Sequence, residues 1–162
     1  MVLGSSTASV KTFVVCTSVL FTKFFLTTMI QGVQTFKAGG RPPEDGKLGM
    51  AKGHPKQTYG LVSDEKDEKI LKEREIEHRW RRIIANDLES MPLALFVFAS
   101  GLFFESDERV HIGAMVVYTM ARCAHTIAYA KQKQPHRARF FMLGSLCIFI
   151  GMGNALFAAL SA

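Results

Sequence analysis

Cysteine is scarce in this chain, and its placement excludes its usual structural uses. Cys16, Cys123 and Cys147 form an odd set with no C-x-x-C spacing, which argues against both a disulfide framework and a structural zinc site. Each lies inside an apolar block and reads as a packing thiol. Tryptophan is nearly absent, at one residue against 13 Phe. No Gly-rich loop is arranged to cradle phosphate, no Ser/His/Asp set stands out, and no repeat of solenoid period is visible. The formal net charge of +6 is not accompanied by a basic run interleaved with aromatics, so nucleic acid is not the expected partner. Lipid headgroups or an anionic substrate account for that charge better.

Apolar residues, by contrast, make up 48% of the 162 and are gathered into long blocks. Four blocks, at about 9–34, 83–104, 110–130 and 140–160, match the roughly 20 residues that cross a bilayer. The first is longer than a signal-peptide core and has no clear small-residue cleavage site, so it is expected to remain as a span. Lys23 interrupts it and should face inward or snorkel. The polar segment 37–72 contains Gly39-Gly40, Pro42-Pro43 and the charge run 63–69. Most of it reads as an irregular, partly mobile loop, with a composition from Asp64 onward that suits a helix running into the second span. The acidic connection 105–109 and the basic connection 131–137 are short, which favours antiparallel neighbours. The sequence therefore predicts an all-α fold: one domain over 1–162, built as a bundle of four transmembrane helices. Lys and Arg concentrate in the first and third loops, which places both on the cytoplasmic side and the termini opposite.

The chemistry concentrates where polar residues enter the apolar blocks. In the stretch 79–92, Arg79, Arg82, Asn86 and Glu89 fall at i, i+3, i+7 and i+10 and share one helix face. In the third block, Arg122, His125 and Tyr129 fall at i, i+3 and i+7. Arg137 stands at the start of the fourth. Ionisable groups at membrane depth are costly and usually face a bundle interior or a watery cavity. The antiparallel topology brings all three groups to the same boundary. Arginine forks match carboxylates bidentately, and Glu89 can take an ammonium. A ligand with terminal carboxylates, an amine and a thiol, such as glutathione, suits that inventory. Lowering a thiol pKa from about 8.5 to roughly 6.5 takes only about 2.7 kcal/mol of preferential thiolate stabilisation. One guanidinium can supply this. The competing readings are headgroup anchoring, for Arg81 above all, an ion pair of Glu89 with Arg122 and no ligand, and a structural His125.

With these residues in view, the chain resembles the MAPEG family, membrane-associated proteins of eicosanoid and glutathione metabolism, and within it the microsomal glutathione transferase and prostaglandin E synthase branches. Four motifs carry the resemblance: Pro43-Glu44-Asp45, Arg79-x-x-Arg82-x-x-x-Asn86-Asp87-x-Glu89, Ala121-Arg122-x-Ala-His125-Thr126-Ile-Ala-Tyr129, and Pro135-x-Arg137-Ala138. The resemblance implies a homotrimer of four-helix bundles with glutathione between neighbouring subunits. It implies that Arg82, Asn86, Glu89, Arg122, His125, Tyr129 and Phe141 form the glutathione site and that Arg137 stabilises the thiolate. Asp45 matches a family aspartate with a proposed catalytic role. The chain also departs from the family pattern. His78 replaces a Glu, Ile83-Ile84 replace Ala-His, and Thr35 and Lys37 stand where an arginine is frequent. The spacings from Glu89 to Pro92 and from Tyr129 to Pro135 are each one residue short. Ala138 replaces a serine, which favours transferase over isomerase chemistry, and Phe141 replaces a tyrosine, which removes a hydroxyl contact.

The expected activity is that of a membrane-bound glutathione transferase with peroxidase capability, joining glutathione to lipophilic electrophiles and reducing lipid hydroperoxides. The alternatives are a glutathione-dependent prostaglandin E synthase and a non-enzymatic lipid-binding scaffold. A channel is disfavoured because the polar groups gather at one boundary rather than along the bilayer axis. The endoplasmic reticulum is the expected membrane, with the outer mitochondrial membrane second.

Overall fold

The computed structural model describes residues 6–61 and 66–161, and it is all-helical, with no strand among the described residues. Four α-helices follow one another: α1 (Thr7–Lys37), α2 (Glu68–Phe103), α3 (Glu108–Ala130) and α4 (Gln134–Ser161). Two short 3-10 turns, Pro43–Lys47 and Gly49–Ala51, lie between α1 and α2. The charge run 63–69 falls partly outside the described residues, but from Glu68 onward it is the first turn of α2. That helix runs without a break into the second apolar block. Pro92 sits inside it, where the ring removes one backbone hydrogen bond without ending the helix.

α1, α2 and α4 are long and apolar enough to cross a membrane. The third predicted span is also a helix, 23 residues and so about 34 Å long, but it is not apolar enough to be grouped with them. The reason lies in what α3 buries. His111, Thr119, Arg122, His125 and Thr126 are all turned inward, alongside Ala114, Met115, Tyr118 and Ala121. These positions recur every three to four residues and form one stripe along the helix. The exposed surfaces of α1 and α4 are apolar instead, with Phe21, Phe25 and Leu26 on one and Leu146, Phe149 and Phe157 on the other. Hydrocarbon tolerates such a surface, whereas water would drive it to associate.

The chain divides into two compact units. The first comprises residues 1–23 and 86–162. In it α3 and α4 pack against each other, joined by a tight turn in which Gln132 takes the left-handed conformation at φ 59°. Phe98 of α2 is fully buried and touches the rings of Tyr118 and His111 at centroid distances of 5.8 and 5.9 Å. It seats against Gly151 of α4, where a Cβ would lie 2.9 Å from the Phe98 ring. Cys147 is buried and Cys123 half-buried, and both are free thiols. The turn between α2 and α3 is tied down by Asn154 of α4, which donates to Ser106 Oγ (3.1 Å) and to the Asp107 carbonyl (3.0 Å).

The same unit contains a buried charge cluster. Asp87 of α2 has no exposed surface and is held by Lys23 Nζ of α1 and Arg122 Nη2 of α3, each at 2.5 Å. Arg122 itself is 1% exposed. Lys23 thus faces inward, and the ion-pair partner of Arg122 is Asp87 rather than Glu89. The helical register explains the switch: Asp87 lies on the buried side of α2, while Glu89, two residues on, is exposed.

The second unit, residues 24–85, holds the C-terminal half of α1, the intervening segment and the start of α2. Its segment 38–61 is more ordered than its composition suggests. Gln57, 2% exposed, donates to the carbonyls of Phe36 (3.0 Å) and Pro55 (2.8 Å) and accepts from Arg41 N (3.1 Å). One amide thereby satisfies three backbone groups that would otherwise keep the segment open to water. Asp45 pairs with Arg41 at 3.5 Å, and Thr35 bonds buried Glu77 at 3.3 Å. Arg81, its side chain 61% exposed, also pairs with Glu77, at 2.7 Å.

Candidate functional site

Within the first unit, a cavity of about 280 Å³ opens where the end of α3 meets the start of α4 and the Asn86 turn of α2. Asn86, His125, Tyr129, Arg137 and Phe141 line it, with Gln134, Ala138 and Met142 completing the wall. Local sequence places each of them. Pro135 occupies the first turn of α4, where its missing N–H costs nothing, and Arg137 follows within that turn. His125 and Tyr129 are four residues apart on α3 and meet edge to face, at a centroid distance of 5.7 Å. The Arg137 guanidinium lies 4.5 Å from the centre of the Tyr129 ring, held there by cation–π attraction. Phe141 also approaches His125, at 6.2 Å.

Two lining residues carry buried polar atoms with no partner: Asn86 Oδ1 and His125 Nδ1. Leaving a buried polar atom unpaired costs on the order of 1–3 kcal/mol, so each calls for a partner. Their position on the wall of a cavity indicates a surface built for a polar ligand. Behind this wall stands the charge cluster. Arg122 Nη2 donates to the backbone carbonyl of Asn86 at 3.2 Å as well as to Asp87. Two cations and one anion leave a net positive charge beneath the cavity, and Arg137 adds a second at its mouth. The arrangement attracts an anion, offers hydrogen-bonding groups for its polar ends and carries an apolar rim of Phe141 and Met142, both exposed.

The structure thus brings Asn86, His125, Tyr129, Arg137 and Phe141 together. It does not put Arg122 on the cavity wall: that residue is buried one layer deeper and acts on Asn86 from behind. Glu89 is exposed and outside the lining, one turn beyond Asn86 on α2. Arg82 belongs to the second unit and is exposed there. Asp87 had no role assigned from sequence although it sits inside the motif. The signal for it was present. A lysine at position 23 and an arginine at 122, both deep in apolar blocks, require a carboxylate at the same depth.

Comparison with family models matches the chain to the MAPEG family over residues 13–157. No curated protein sequence matches it.

Proposed function

The chain belongs to the MAPEG family, and from that premise we propose that it is a membrane-bound glutathione transferase that also reduces lipid hydroperoxides. Family membership together with three helices apolar enough to cross a bilayer makes it an integral membrane protein with a glutathione-related function. The single observation that carries the finer reading is the cavity wall itself: Arg137 beside two unpaired buried polar atoms, above a charge cluster of net positive sign.

The residues present fit glutathione. Its carboxylates match the positive field of the Lys23–Asp87–Arg122 cluster. Its amide groups match Asn86 Oδ1 and His125 Nδ1, which want a donor and a polar partner respectively. When bound, glutathione would supply a thiolate that forms a C–S bond as the electrophile's leaving group departs, or that cleaves a hydroperoxide O–O bond to release the alcohol, a second glutathione then giving the disulfide and water. Arg137 holds the thiolate charge by direct electrostatic stabilisation, and the Tyr129 ring fixes where the guanidinium can point. Phe141 and Met142 offer an apolar approach for a lipophile arriving from the bilayer. At about 280 Å³ the cavity lies just below the range of sites that enclose a drug-sized ligand. A wall contributed by a neighbouring subunit of a homotrimer would close it, with exposed Glu89 available at its edge. Ala138 offers no hydroxyl to the cavity, which favours transferase over prostaglandin isomerase chemistry.

Purified protein in detergent should form glutathione thiolate, read by its ultraviolet absorbance, and conjugate glutathione to a chloronitrobenzene acceptor. Arg137→Leu should lose both signals while eluting as the same oligomer. Full turnover in that variant refutes the role of Arg137. Absence of thiolate in the wild-type oligomer refutes the glutathione reading and leaves the lipid-binding scaffold.

A further inference from the structure

The elbow between α3 and α4 carries charge that the glutathione cavity does not use. No Asp or Glu occurs after Glu108, so beyond the first residue of α3 neither helix has a carboxylate of its own. Lys131 and Lys133 lie in the turn, and His136 and Arg139 follow at the start of α4. All four are exposed, and none forms an ion pair among the described residues. Arg137, between them, lines the cavity and lies over Tyr129 instead.

Backbone bonds hold these charges together. On either side of left-handed Gln132, Lys131 N donates to the Ile127 carbonyl at 3.0 Å and Lys133 N to the Ala128 carbonyl at 2.9 Å. Arg137 N then donates to the Lys133 carbonyl at 3.0 Å, so the turn closes directly onto α4. Like charges kept close with no anion between them repel, and a bound anion relieves that repulsion.

His136 and Arg139 also begin a stripe along α4. They are three residues apart, and steps of four and three lead on to Leu143, Leu146, Ile150 and Gly153, all exposed. The stripe is basic at its start and apolar beyond. Eleven residues separate Arg139 from Ile150, about 16 Å of helix. One leaflet of a bilayer has roughly 15 Å of hydrocarbon, half of its total thickness. Gly153 leaves the end of this run open, with nothing within 4 Å of the place a Cβ would take.

The match is to an amphiphile with an anionic head. Phosphate oxygens accept hydrogen bonds from ammonium and guanidinium groups. A zwitterionic headgroup brings its own cation to a patch that already holds three, whereas an anionic headgroup does not. A soluble anion would answer the elbow and leave the apolar stripe unused. We propose that this face binds an anionic phospholipid, with its phosphate against Lys131, Lys133 and Arg139 and an acyl chain along Leu143, Leu146 and Ile150. The site does not depend on the glutathione reading.

The test uses the full chain in neutral detergent with equal amounts of phosphatidylglycerol and phosphatidylcholine, and native mass spectrometry counts the lipids each chain retains. Saturable retention of about one phosphatidylglycerol per chain, in preference to phosphatidylcholine, is expected. It should fall tenfold or more in Lys131→Gln/Lys133→Gln/Arg139→Gln. The variant Lys47→Gln/Lys52→Gln/Lys56→Gln, which removes as many charges from the segment 38–61, should keep it. Lys131→Gln/Lys133→Gln gives the same reading, with a smaller loss, should the triple variant fail to fold. Equal retention of the two lipids, or equal loss in the elbow and segment variants, overturns the proposal. Displacement of the lipid by millimolar glycerol phosphate also overturns it, since the elbow alone would then be a site for soluble anions.

Discussion

Replacing Asp87 by Asn is the sharpest test of how this fold manages charge at membrane depth. The side chain keeps its shape, and one oxygen still accepts a hydrogen bond, but the anion between Lys23 and Arg122 is gone. Both cations stay where packing holds them, one 10% exposed and the other 1%. Removing one partner from a buried charge network typically costs about 3–5 kcal/mol, because the charge left behind is uncompensated. Here two cations are left, and they repel each other, so the upper part of that range is expected.

The same reasoning predicts a rescue. The triple substitution Lys23→Met, Asp87→Leu, Arg122→Met removes the whole cluster. Replacing a buried ion pair or triad by apolar residues of similar size is often neutral or stabilising by about 1–4 kcal/mol. The triple variant should thus unfold near wild type, well above Asp87→Asn. The assay is unfolding in mixed micelles of rising denaturing-detergent fraction, followed by the fluorescence of the lone Trp80. A loss below about 1 kcal/mol in Asp87→Asn, or a triple variant less stable than the single one, refutes the argument. Function should separate from stability in the triple variant. With Arg122 gone, the Asn86 carbonyl loses its tether and the cavity its underlying positive charge, so glutathione binding should fall even where folding recovers.

Asn86→Ala should weaken glutathione binding by roughly tenfold, about 1.4 kcal/mol, by removing the unpaired Oδ1 from the cavity wall, with isothermal titration as the readout. Unchanged affinity would refute a ligand contact at this oxygen. Gly151→Val should destabilise by about 1–3 kcal/mol, because its Cβ would meet the buried Phe98 ring at 2.9 Å, whereas Gly153→Val on the same helix meets nothing within 4 Å and should be close to neutral. Comparing the thermal midpoints of the two checks it. Gln57→Ala should leave three backbone groups of the segment 38–61 without their partner, and limited proteolysis should then cut within that segment faster by an order of magnitude than in wild type.

The helices were largely legible in the sequence, because a bilayer imposes length and hydrophobicity together. The harder parts share a cause. The sequence reads α3 as a span like the others, yet its buried stripe carries His111, Arg122 and His125, so average hydropathy undervalues a helix whose polar side chains are turned inward. The segment 38–61 read as irregular because composition cannot show that a single side chain, Gln57, closes it. Its bonds join residues 16 and 21 positions apart, outside any local window.

The candidate site divides along the same line. Spacing alone placed His125 and Tyr129 on one face, and topology placed Arg137 beside them, since all three depend only on helical period and antiparallel connection. The Arg122 partner depended on a finer matter. Asp87 and Glu89 both lie within reach of a helix crossing at that depth, and only rotation about the α2 axis decides between them. That rotation is set by what else α2 must bury. Ile83, Met91, Ala94 and Phe98 are buried with Asp87 at intervals of three and four residues, and this apolar stripe turns Glu89 outward. Extending the stripe backward from Phe98 assigns Asp87 to the interior and makes Glu89 the residue left over. An exposed carboxylate one turn from the cavity is then free to meet a ligand or a neighbouring copy, which a buried ion pair with Arg122 would have prevented.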